Sequence, residues 1–114
     1  MQALKKHPLY RHSHQWIDAV DLAMARRIAE KIREKPELME IARQNLRRWK
    51  MLEVNQPWPR ALREWEQILA RNPPEQILGI FTQDNDDGQR LRQSDPFIGI
   101  LSEKERMWFL ENYE

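Results

Sequence analysis

The sequence predicts an all-α fold: a compact domain of about five short-to-medium helices over residues 13–114, preceded by an irregular arm at residues 1–12. Three observations predict it. Apolar residues recur at spacings of three and four along most of the chain, which places them on one face of a helix. Helix-start signatures built on Ser, Asn and Pro punctuate those stripes. Three glycines stand against five tryptophans, a balance that suits helices better than a turn-rich β-sandwich.

In the arm, Pro8 pushes His7 away from helical geometry. Ser13 is the expected N-cap of the first long helix. Ile17, Val20, Met24, Ile28 and Ile32 form its stripe, with Ala25 and Ala29 alongside and Arg26 and Arg27 facing out. Asp18 and Asp21 lie early and Lys31, Arg33 and Lys35 late, an order that complements the helix dipole.

Pro36 ends that helix and opens the next at its first position. Leu38, Ile41, Ala42, Asn45, Trp49 and Leu52 keep the helical period. Asn45 on the apolar stripe is expected to hydrogen-bond across helices. Arg43, Arg47, Arg48 and Lys50 make a basic outer face. Gln56-Pro57-Trp58-Pro59 forms a stiff turn. A third helix then carries Ala61, Leu62, Trp65, Ile68 and Leu69, with Trp58 and Trp65 on one face.

Asn72-Pro73-Pro74-Glu75 reads as a cap, a first-turn proline and a first-turn acid. It opens a short apolar helix through Ile77, Leu78, Ile80 and Phe81, expected to be the most buried. A polar loop follows, with Asp86 or Asp87 capping a helical turn through Leu91. Its run Gln83-Asp84-Asn85-Asp86-Asp87-Gly88 superficially matches a calcium loop. Counted with Gly88 at position six, however, Gln83 fills position one and Ser94 falls where a bidentate Glu is needed. Ser102-Glu103-Lys104-Glu105 is a capping box that opens a last helix through Met107, Trp108, Leu110 and Tyr113.

The stretch Arg90–Leu101 concentrates directional polar groups beside apolar anchors. It is expected to be a structured connector around which the helices pack. Asp95 before Pro96 favours a turn, Arg92 is placed to pair with Asp95 or hold backbone carbonyls, and Gly99 suits positive φ.

Composition narrows the function. Without cysteine there is neither a disulfide framework nor a thiolate metal site, in keeping with a cytoplasmic protein. No apolar run reaches the roughly 20 residues of a membrane helix, so no membrane association is expected. Residues 1–14 carry Lys5, Lys6 and Arg11 but no apolar segment of a signal peptide. His7, His12 and His14 lack acidic neighbours and a shared helical face, and no metal or cofactor is expected.

The net charge of +1 is polarised. Eight Lys and Arg against four Asp and Glu fill residues 1–35, seven against five fill 36–71, and four against nine fill 72–114. Either the two ends neutralise each other in the fold or a basic face awaits an acidic partner. No nucleophile–base pairing, phosphate loop, dinucleotide fingerprint or zinc-binding His pair is visible, so no catalytic residue is assigned and the chain is not expected to be an enzyme.

Three runs carry a resemblance: Glu37–Trp49, Ala61–Leu69, and Arg90-Leu91-Arg92-Gln93-Ser94-Asp95-Pro96-Phe97-Ile98-Gly99-Ile100-Leu101-Ser102-Glu103-Lys104-Glu105-Arg106. Through them the region from Pro36 to Tyr113 resembles a group of small bacterial proteins of toxin–antitoxin and phage-defence gene pairs. These carry Leu-Arg-Gln-Ser-Ser-Pro-Phe, a small residue, then Gly-Val-Leu in the last place. Asp95 stands here where they often have serine. The resemblance implies an antitoxin that neutralises a cognate toxin enzyme, kinase-like or nucleotidyltransferase-like, by direct binding. Its expected partner-binding residues are Arg90, Arg92, Gln93, Ser94, Asp95 and Phe97, together with Arg48. The alternatives are a small nucleic-acid-binding regulator acting on operator DNA through Arg43, Arg47, Arg48 and Lys50, and a structural module that forms homo-oligomers.

Overall fold

The structure is a computed structural model that describes residues 14–53 and 55–113. The expected arm, the Ser13 cap, His7 and His12 lie outside the described residues. Within them the chain is all-helical: α1 (His14–Glu34), a 3-10 turn (Pro36–Leu38), α2 (Met39–Leu52), α3 (Arg60–Arg71), α4 (Pro74–Phe81), α5 (Asp86–Arg92) and α6 (Glu103–Asn112). The predicted fold class holds. There are six α-helices among the described residues rather than about five, because the loop after Phe81 winds into α5. No helix of the described residues is long and apolar enough to cross a membrane.

The stripe of α1 is buried through Val20, Leu22, Ala25, Ile28, Ala29 and Ile32, while Ile17 at its start is exposed. Asp18 and Asp21 lie beyond the first turn, which holds no acid, so they do not serve the dipole as the sequence suggested. Pro36 opens the 3-10 turn, with Glu37 in it, before α2 begins at Met39. Leu52, expected on the core face of α2, is exposed.

Asn72 does not cap α4. Its side chain donates to the Ile68 carbonyl at the end of α3 (3.0 Å), and Pro73 occupies the cap position ahead of Pro74. Asn85, not Asp86 or Asp87, caps α5, accepting from the Gly88 amide at 2.8 Å. Gly88 is needed there because a Cβ would meet the Gln83 carbonyl oxygen at 2.1 Å.

The core is centred on three rings from three elements. Trp65 of α3 meets Phe81 of α4 and Phe97 of the connector edge-on, with centroids 5.8 and 5.5 Å away. Phe81 and Phe97 lie 4.4 Å apart. Such offset contacts suit the ring quadrupoles. The Trp65 indole donates to the Leu91 carbonyl at 2.9 Å, satisfying its buried polar atom.

At the other side, α6 docks on α1. Lys31 Nζ donates to the Ile100 carbonyl (2.9 Å) and to Glu105 Oε1 (2.6 Å), and the Trp16 indole donates to the Tyr113 carbonyl (2.8 Å). The Ser102–Glu105 capping box forms as expected. No residue of α6 is fully buried, and Met107 and Trp108 are exposed.

Candidate functional site: the connector cleft

The segment after α5 is suspended from α2. Asn45, buried on the inner face, donates both amide hydrogens, to the Pro96 and Ile98 carbonyls at 2.8 Å each, and accepts from Arg48 at 2.7 Å. The Asp95 carboxylate accepts the Phe97 amide at 2.6 Å, closing the turn around buried Pro96. Gly99 sits at φ +101°, a geometry that other residues adopt only at a cost. These contacts bury Phe97, Ile100 and Leu101 while turning Ile98 outward, 60% exposed.

Between this connector and helices α1, α2, α3 and α6 lies an open cleft of about 860 Å³. Met24, Trp49, Leu62 and Ile98 give it apolar walls; Asp21, Gln93, Ser94, Asp95, Glu103 and Arg106 supply polar groups.

Of the residues expected to bind a partner, Arg92, Gln93, Ser94, Asp95 and Phe97 all line this cleft. Their roles differ. Gln93 is exposed, Ser94 and Asp95 are half-buried, and Phe97 is fully buried as part of the aromatic core. Phe97 therefore shapes the site from beneath and offers no free ring to a partner.

Arg92 is only 6% exposed and holds the end of α4, donating through Nη1 to the Phe81 (2.9 Å) and Gln83 (2.7 Å) carbonyls. Of its two expected roles it takes the second, and a cation there complements the C-terminal end of the α4 dipole. Its buried Nε has no acceptor. Burial pulls its pKa down, with Asp21 opposing.

Arg90 and Arg48 are not part of the cleft lining. Arg90 pairs with Glu64 (3.0 Å) and Asp87 (2.9 Å), and hydrogen bonds to both hold its proton more tightly than usual. Arg48 braces Asn45.

The cleft's electrostatics were not visible in the sequence. Burial, reinforced by Asp18, raises the Asp21 pKa, while Arg92 and Arg106 pull it back. Burial likewise raises Asp95, to about 6, against the Phe97 amide that favours its charged form; Asp21 pushes it the same way. Asp21, Trp49, Leu62 and Arg106 come from four other elements. Sequence alone gives no signal that they would converge.

In comparisons with known proteins, no protein-family model, curated protein or solved structure matches this chain.

Proposed function

We propose that this chain is a non-catalytic, protein-binding module of the antitoxin or immunity type. It acts by direct binding to a partner enzyme and steric cover of that enzyme's active site. The observation that carries this reading is the connector cleft. It is open, amphiphilic, and lined by Gln93, Ser94 and Asp95 from the run on which the antitoxin resemblance rests. Exposed Ile98 at its edge adds an apolar contact of the kind that anchors interfaces.

The nucleic-acid reading draws less support. Of its four basic residues, Arg43 and Arg47 are paired with Glu40 (3.5 and 2.7 Å), and Lys50 with Glu66 (3.3 Å). A face so neutralised offers few free cations for phosphate contacts.

Co-expression with each flanking gene, scoring growth and co-purification together, tests the proposal. The expected outcome is a neighbour that is toxic alone, is rescued by this chain and elutes with it. If no neighbour is toxic and the chain elutes alone or only with itself, the antitoxin reading is wrong.

A further inference from the structure

Seven acidic residues among those described are half-buried: Asp18, Asp21, Glu40, Glu64, Glu66, Asp95 and Glu105. The four glutamates all have an arginine or lysine within ion-pair distance. The three aspartates have none among the described residues, and all three belong to the cleft or its border. Asp21 and Asp95 line it, and Asp18 lies three residues before Asp21 on α1.

The two guanidiniums nearest Asp21 are engaged elsewhere. Arg106 is 3.3 Å from Glu103, and Arg92 is committed to the Phe81 and Gln83 carbonyls. Partly desolvated carboxylates with no cation in ion-pair contact are costly, and Arg92 and Arg106 act on Asp21 only from beyond that distance. The Arg92 side chain, more than nine-tenths buried and part of the same lining, adds an independent sign of a missing partner in its Nε, which lacks an acceptor.

We infer that the cleft receives an arginine side chain of a partner protein, its guanidinium taken by the Asp21 and Asp95 carboxylates and its stem lying against Met24, Trp49 and Leu62. The inference rests on the protein-binding reading above and adds the chemistry of the bound segment. Arginine fits better than lysine. Its planar fork addresses two carboxylates at once, and it stacks on an aromatic wall such as Trp49. Gln93 and Arg92 supply donors for the backbone carbonyls of the same segment. Ile98 at the edge meets its apolar neighbours.

The test uses the full chain and a fluorescein-labelled pentapeptide with a central arginine flanked by leucines, read by anisotropy. It is compared with the same peptide carrying glutamine or glutamate at the centre. The expected result is saturable binding of the arginine peptide, on the order of tenfold tighter than the glutamine peptide, with the glutamate peptide weakest. In Asp21→Asn that preference falls to near unity. This variant keeps the fold, since Asp21 makes no hydrogen bond or ion pair among the described residues, and a melting curve verifies it. Three results would each overturn the inference: equal binding of arginine and glutamine peptides, tighter binding of the glutamate peptide, or no saturable binding of any of them. None of these decides whether a neighbouring toxin is neutralised, so the two proposals fail separately.

Discussion

Asn45 and Asp95 carry the connector, one by giving hydrogen bonds and the other by accepting one. Removing the Asn45 amide leaves two carbonyls in or near the core and the Arg48 guanidinium without their partners. Asn45→Ala should therefore cost about 2–3 kcal/mol, more than a single surface hydrogen bond, as measured by urea unfolding. Asp95 behaves in the opposite sense. Its folded pKa, about 6, lies above the ordinary value of 3.8, so between those values the folded state holds a proton that the unfolded state has released. Stability contributed by this group is present below pH 3.8 and lost as pH rises through about 6. Asp95→Asn keeps an oxygen to accept the Phe97 amide but cannot ionise. It should raise stability at pH 8 by about 2 kcal/mol and leave it nearly unchanged at about pH 4, as melting curves at the two values would show. The sequence disclosed the polar role of Asn45 because an amide interrupts an apolar stripe. It could not disclose the burial of Asp95, which depends on where the connector folds back.

At the scale of elements, α6 buries no residue fully; Phe109 packs against the core and polar contacts tie the helix to α1. Glu105 serves twice. It closes the capping box on the Ser102 amide at 2.9 Å and takes Lys31 of α1 at 2.6 Å. The Lys31 hydrogen bond, followed by the Ser102 amide, holds the Glu105 carboxyl down at about 2 from an ordinary value of 4.5. A depressed carboxylate stabilises above its unfolded pKa, so this contribution is complete above about 4.5 and fades as pH falls toward about 2. Glu105→Gln should loosen α6 by about 1 kcal/mol at pH 7, the partly exposed setting keeping the figure small, and by almost nothing near pH 2. Amide exchange along Glu103–Asn112, faster in the variant than in the rest of the fold, is the measurement that checks it. The capping box was legible because its signature is local in sequence. The α5 helix was not fully legible, since seven residues with a central glycine carry little propensity. What shapes α5 is Asn85 capping Gly88 and Arg92 reaching back to α4, a tertiary contact that no periodicity reveals.

For the molecule as a whole, the basic beginning and acidic end of the chain do meet. Arg33 of α1 pairs with Glu75 of α4 at 2.8 Å, and Lys31 and Arg27 of α1 reach Glu105 of α6. That neutralisation was readable from the charge distribution, although the particular partners were not. Its energetic weight is small, because a pair such as Arg33–Glu75 is largely solvated. Raising NaCl to about 0.5 M, which shortens screening to a few ångströms, should lower the unfolding free energy by no more than about 1 kcal/mol. The aromatic centre stands in contrast. Trp65 is fully buried, touches Phe81 and Phe97 edge-on, and gives its indole hydrogen to the Leu91 carbonyl. Trp65→Phe would remove that donor, leave the Leu91 carbonyl with the Ser94 amide alone and open a void beside the neighbouring rings. The cost should be about 2–4 kcal/mol, independent of salt. Because Phe97 and the Leu91 carbonyl belong to the segment that shapes the cleft, the same variant should also weaken binding of the arginine peptide. Urea unfolding at low and high NaCl, run beside the anisotropy titration, measures both effects. A salt loss larger than the Trp65→Phe loss would mean that surface charge, and not the three-ring core, holds the connector in place.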